Sequence, residues 1–131
     1  MVCYSCGGST SVVNSRFKNR SARVWRRRLC NDCGTLFTTI EGVLYKDVAV
    51  VKDSSGKLAP FSRDSLFVSI LSSLSHRRSP VDDAGDITAT IIAKLFKNGF
   101  KSPLNTSQIR QTALITLNRF DKTAAVYYDA H

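Results

Sequence analysis

The sequence predicts an α+β chain in two unequal parts: a small β module holding every cysteine, then a β-hairpin that leads into a helical bundle. Three observations carry this. All four cysteines lie within the first 33 residues. The residues among and just after them are rich in Val, Thr and aromatics, as strands prefer. Beyond Phe61 the apolar residues recur at helical spacing. A division into 1–42 and 43–131 follows, and 131 residues suffice for two small modules or one ordinary domain.

Composition excludes several classes. The hydrophobic fraction of 43% is too high for a disordered basic tail. The apolar runs are short and interrupted, far from the ~20 residues a membrane span needs, so no membrane partner is expected. Met1-Val2-Cys3 opens without a charged stretch and apolar run, which points to a cytoplasmic, reducing compartment. A formal charge of +9 puts a polyanion first among partners.

Cys3 and Cys6 form one CxxC, and Cys30 and Cys33 another, separated by residues 7–29. Paired CxxC loops let four thiolates converge on one tetrahedral ion, so the spacing predicts structural zinc held in a ribbon. A redox dithiol would not explain two matching pairs. Four protein thiolates also leave no open position for catalytic water. Strands are expected at Ser11–Arg16, Ala22–Leu29 and Leu36–Val43.

Arg16, Lys18, Arg20, Arg23, Arg26, Arg27 and Arg28 face only Asp32 and Glu41 in this module. An arginine run is most often a solvated surface; on a metal-fixed hairpin it becomes a set of guanidinium forks suited to phosphates and guanine edges. Alternation along a strand should point Arg26 and Arg28 one way and Arg27 the other. Trp25 is expected to cover the small core. Four thiolates around Zn²⁺ carry a net −2, so metallation would lower the chain's charge from +9 to about +7.

In the second part, Leu44–Asp53 reads as a strand, Asp53-Ser54-Ser55-Gly56 as a turn, and Leu58–Phe61 as the returning strand. Ser62 caps a helix with Leu66, Phe67, Ile70, Leu71 and Leu74 on one face. After Pro80, Asp82 or Asp83 caps a second helix that buries Ile87, Ile91, Leu95 and Phe96 and stops at Gly99. Thr106 caps a third, with Ile109, Ala113, Leu117 and Phe120 inward. Lys122–His131 begins a fourth. No Walker loop or Ser/His/acid constellation is present, so no catalytic residue is assigned and the chain is not expected to be an enzyme.

Taken in order, the first CxxC, VNSR (Val13–Arg16), VWRRRLCNDCGTLFTTIE (Val24–Glu41) and VVKDSSGKLAPFSRDSL (Val50–Leu66) resemble the NrdR family of bacterial transcriptional repressors. The resemblance runs over essentially the whole chain. Its most specific parts are the arginine run before the second CxxC and the FTT-x-E after it. It implies a zinc ribbon joined to an ATP-cone, binding of ATP or dATP, self-association into homo-oligomers, and repression of ribonucleotide reductase genes at a double-stranded DNA operator.

By that resemblance Cys3, Cys6, Cys30 and Cys33 hold zinc. Arg16, Arg26, Arg27, Arg28 and Thr39 belong to the DNA-contacting ribbon, and Glu41 ends its motif. Val51, Lys52, Phe61 and Ser62 fall at the nucleotide site. The family's pattern is broken at Asn14, Trp25 and Leu36, and at Ala59 and Ser65, where it carries an acid and a lysine. Lys57, Arg63 or Arg77 could supply the missing cation. The alternative is a zinc-ribbon interaction module whose degenerate cone binds no nucleotide. The closing AVYYDAH (Ala125–His131) resembles the family's last helix.

Overall fold

The computed structural model describes residues 1–17, 22–97 and 100–131, and divides into two compact units, Met1–Val43 and Leu44–His131. Lys18 and Arg20, counted among the ribbon's basic residues, and Gly99, the expected helix stop, lie outside the described residues.

The first unit is an antiparallel sheet of three strands in the order β1 (Thr10–Phe17), β2 (Arg23–Cys30), β3 (Leu36–Gly42). The arginine run thus occupies the central strand, hydrogen-bonded along both edges. Thr10 pairs with Cys30 and Ser15 with Arg26, but the register shifts between Val12 and Asn14, leaving Val13 as the extra residue of a β-bulge. Val12, Val13, Phe17, Leu36 and Ile40 are exposed, and among the described residues of this unit only Cys3 and Cys30 are buried. Trp25 is half-buried on this open sheet, so it covers less than the sequence suggests.

The second unit opens with a difference. Leu44–Asp53 is not one strand: α1 (Tyr45–Val48) precedes a short β4 (Val50–Lys52). Packing overrides local propensity here, because Tyr45 turns onto Phe61 and Phe96, ring centroids 6.1 and 4.5 Å away. Strand β5 (Leu58–Pro60) returns antiparallel to β4 through a turn in which Gly56 takes φ +87°. Strand β6 (Leu104–Asn105) pairs parallel to the other edge of β4.

Helices α2 (Arg63–Ser72), α3 (Pro80–Leu95), α4 (Thr106–Phe120) and α5 (Lys122–Ala130) pack around one core. Leu66, Ile70, Leu74, Ile87, Ile91, Ala113 and Leu117 are buried, as their spacing predicts. Ser62 caps α2, its hydroxyl accepting from the Ser65 N–H at 3.1 Å. Two other caps differ from expectation. Helix α3 starts at Pro80 after Ser79, with Asp82 and Asp83 in its first turn: proline fits the first helical position because the missing N–H would be unpaired there anyway. Helix α4 is capped by Asn105, whose N–H is received by the Gln108 side chain at 2.9 Å, leaving Thr106 inside the helix. Phe120 is exposed rather than buried, with the Arg77 guanidinium 4.5 Å above its ring.

Asp121 joins α4 to α5. Its carboxylate accepts from the Ala124 N–H at 3.1 Å, from His76 Nε2 at 2.9 Å and from Arg77 Nη1 at 3.2 Å. The His76 hydrogen bond first, then the Ala124 N–H and Arg77, hold this carboxyl down to about 2. A depressed folded-state pKa contributes stability that is complete above the ordinary carboxylate range near 4 and is lost as pH falls toward 2. Asp121→Asn should therefore flatten the acid limb of helical stability between about pH 4 and 2. An acid titration followed by circular dichroism checks this; identical limbs in both proteins would contradict it.

Candidate functional site

The first unit brings its four cysteines to one point. Cys3 and Cys33 Sγ are 3.8 Å apart, Cys6 and Cys30 Sγ 3.5 Å, and all four sulfurs lie within 4.8 Å of one another. Four thiolates around Zn²⁺ at ~2.3 Å stand about 3.8 Å apart, whereas a disulfide needs ~2.05 Å. The donor set fits zinc. Both loops are built alike. Gly7 (φ +75°) and Gly34 (φ +76°) follow the second cysteine of each pair, in a conformation that costs glycine little. Their N–H groups return to the Cys3 and Cys30 carbonyls at 2.9 and 3.2 Å. The Ser5, Gly8 and Cys33 N–H groups donate to Cys3, Cys6 and Cys30 Sγ, each at 3.4 Å.

Electrostatics in the cluster call for a cation. Hydrogen bonds from Thr35, hydroxyl first and then main chain, hold Cys33 down to about 6. At Cys6 the Gly8 N–H favours the thiolate, but the facing sulfurs of Cys30 and Cys33 together outweigh it and push the thiol up to about 12. Thiols as close as Cys6 and Cys33 ionise together around a shared dication, which displaces the proton of Cys6 as it binds.

The arginines divide between two faces. Cross-strand partners share a face, so Arg26 and Arg28 lie with Thr39, Ser15 and Thr10, while Arg27 lies with Arg16, Thr38 and Trp25. On the first face Arg26 bonds to Glu41 and Ser15, both at 3.2 Å, and Arg28 to Thr39 at 3.1 Å and Thr10 at 3.4 Å. On the second, Arg27 is exposed and, among the described residues, its side chain hydrogen-bonds only to the Thr38 hydroxyl, at 3.3 Å. Arg16 is exposed beside it. The predicted DNA contacts are therefore two constellations, one internally braced and one whose guanidinium donors are largely uncommitted among the described residues.

The second unit contains a cavity of about 360 Å³, a size that suits a small ligand. Val51, Ala59, Phe61, Ser62 and Ser65 form its wall on the β4–β5–α2 side. Of the sequence-predicted nucleotide residues, Val51, Phe61 and Ser62 line it; Lys52, Lys57 and Arg63 do not. Arg63 Nε is nonetheless buried without a hydrogen-bond partner among the described residues. Arg77 cannot serve here, since it is engaged by Asp83 at 2.9 Å, Asp121 at 3.2 Å and the Phe120 ring.

A family model described as "Transcriptional repressor NrdR-like, N-terminal domain" matches residues 1–41. Curated proteins named transcriptional repressor NrdR match nearly the whole chain. That of Methylobacterium sp. (strain 4-46) is 36% identical over 98% of this chain and 68% of its own length. The Hyphomonas neptunium protein is 36% identical over 98% and 80%. The Acidiphilium cryptum protein is 37% identical over 98% and 84%. This chain belongs to the NrdR family of transcriptional repressors. The matched NrdR segment takes in both cysteine pairs, β1, β2 and all of β3 but Gly42, and with them the arginine faces.

Four residues of this NrdR chain that the sequence did not mark as site residues also line the cavity. Thr106, Ile109, Arg110 and Tyr128, from α4 and α5, form the facing part of the wall. The helical periods place Ile109 on the buried side, but nothing local signals that α4 and α5 turn toward the hairpin.

Proposed function

We propose that this repressor binds a double-stranded DNA operator through its zinc-held sheet, and that an adenine nucleotide, ATP or dATP, in the cavity of the second unit regulates it by changing its self-association. Its target class, by family resemblance, is ribonucleotide reductase genes, and its place of action the nucleoid in the cytoplasm. Among the described residues no helix is long and apolar enough to cross a membrane. The domain assignment is 1–42 for DNA and 43–131 for nucleotide and assembly.

The observation that carries the DNA reading is the pair of exposed guanidinium groups, Arg16 and Arg27, on a sheet anchored by the cysteine cluster. A strand whose end is a metal ligand loses little entropy on docking, and uncommitted arginines are suited to phosphates and base edges. Arg28 and Thr39 brace the opposite face, and Arg26 there already has Glu41 as a counter-charge.

Arg27→Ala should weaken operator binding and lower the salt slope by about 0.9 for the phosphate contact removed. Arg26→Ala should change the slope less. Binding isotherms at several salt concentrations test this, and equal slopes for the parent and Arg27→Ala would refute the assignment.

Support for the nucleotide comes from the cavity, with Val51, Phe61 and Ser62 in its wall and an unpaired Arg63 Nε donor close in sequence. Lys52 and Lys57, on the hairpin beside it, are candidates for the outer phosphates. A second reading drops the nucleotide and keeps self-association. It is favoured by Ala59 and Ser65, both in the wall where the family carries charged side chains. Calorimetry with ATP and dATP separates the two.

A further inference from the structure

Among the described residues one charged side chain, that of Arg110, lines the cavity. Arg110, on α4, donates from Nη2 to the Asp129 carbonyl oxygen at 2.6 Å and to Asp129 Oδ1 at 3.2 Å. Its guanidinium stands 5.5 Å from the centroid of Tyr128, itself part of the wall. Among the described residues no hydrogen bond uses Arg110 Nη1 or Nε. A guanidinium has five donors in a plane, so the free edge gives an anion a first hold on Arg110, from which it can draw the side chain off Asp129.

The partner is weakly held. The Arg110 and Asp129 side chains are 45% and 67% exposed, and an ion pair that open contributes little. Asp129 also sits in the last turn of α5, where a negative charge opposes the helix dipole. Its carboxylate gains from Arg110 and from little else in its own helix.

We infer that Arg110 is the cavity's anion contact and that Asp129 is its internal competitor, so that an anionic ligand is sensed by drawing Arg110 away from the last turn of α5. This rests on the nucleotide reading above and adds to it the residue that reads the phosphate and the helix that receives the signal. The carboxylate occupies the guanidinium when the cavity holds no anion. A phosphate attached to a bound nucleoside takes its place, and α5 loses a tether at its end. Val126 and Tyr127, exposed on the same helix, move with it.

Competition has a direction that a bracing role lacks: removing the carboxylate must tighten anion binding. Titration calorimetry of the zinc-loaded full chain with adenosine, AMP and ATP provides the test. Arg110→Ala should weaken AMP and ATP about tenfold or more, the loss of one charge-assisted contact, and leave adenosine within about twofold. Asp129→Asn should tighten AMP and ATP by about two- to fivefold, the worth of an exposed ion pair, with adenosine unchanged. In Arg110→Ala/Asp129→Asn the gain from Asp129→Asn should vanish. Binding of all three ligands without dependence on either residue, or weaker AMP binding by Asp129→Asn, would overturn the inference and leave the nucleotide reading standing. Failure of the parent chain to bind any of the three would remove both.

Discussion

Stripping zinc with a strong chelator is expected to unfold residues 1–43 and leave the helices of 44–131 intact. Among the described residues the buried hydrophobic cluster is drawn from the second unit, and the first buries only Cys3 and Cys30. In the first unit Val12, Phe17, Leu36 and Ile40 stay exposed, and the aromatic contact between Tyr4 and Phe37, 5.2 Å between centroids, is among its few apolar contacts. A sheet of this size without a core has little burial to set against the chain entropy it loses. The metal supplies the difference. Structural zinc in comparable small domains contributes an apparent ~10–16 kcal/mol near neutral pH, more than a whole domain's usual stability. Because the ion must displace protons from the thiols, loading should also weaken as pH falls. Circular dichroism and amide NMR spectra with and without chelator measure the effect, and β-sheet resonances that persist in the metal-free chain would sink the zinc assignment.

Leu117→Ala is expected to be the most damaging kind of change in the second unit. Leu117 is fully buried in α4, within the cluster that also holds Ile70, Ile91 and Ala113. Truncating a buried leucine costs about 2–5 kcal/mol, transfer and cavity terms together. Against a total near 5–15 kcal/mol that is a large fraction, and for a unit of this size it lowers Tm by roughly 10–30 °C. Val126→Ala on α5, at a side chain 70% exposed, should stay within about 0.5 kcal/mol. Thermal melts followed through the helical signal compare the two; similar shifts would mean that Leu117 is not a core residue.

What could be read in advance depended on the range over which each feature is encoded. The four-cysteine cluster was legible because a CxxC loop is a local device: two residues of spacing and a following glycine already determine the turn. The inward faces of α2 and α3 were legible for a similar reason, Ile70 and Ile87 being set by helical period alone. Helix α1 was not, since its Val and Tyr content favours a strand until Phe61 and Phe96 offer Tyr45 a place to pack. Arg110 was hidden by distance: a polar position on a helix gives no sign that a cavity wall lies on its side. The arginine run was half legible. Alternation separated Arg27 from its neighbours, but Glu41 as the counter-charge of Arg26 appears only when β3 is laid beside β2.

The bulge at Val13 gives β1 a different kind of constraint. Thr10 and Ser15 are five positions apart, an odd interval, and in a regular strand would look in opposite directions. Yet Thr10 reaches Arg28 and Ser15 reaches Arg26 on one side of the sheet. The surplus residue reconciles them. Between these two hydroxyls the chain must therefore keep a count rather than a spelling. Many single-letter exchanges at Val12 or Val13 leave the arrangement intact, whereas losing or gaining one residue would turn one of the two hydroxyls away from its arginine.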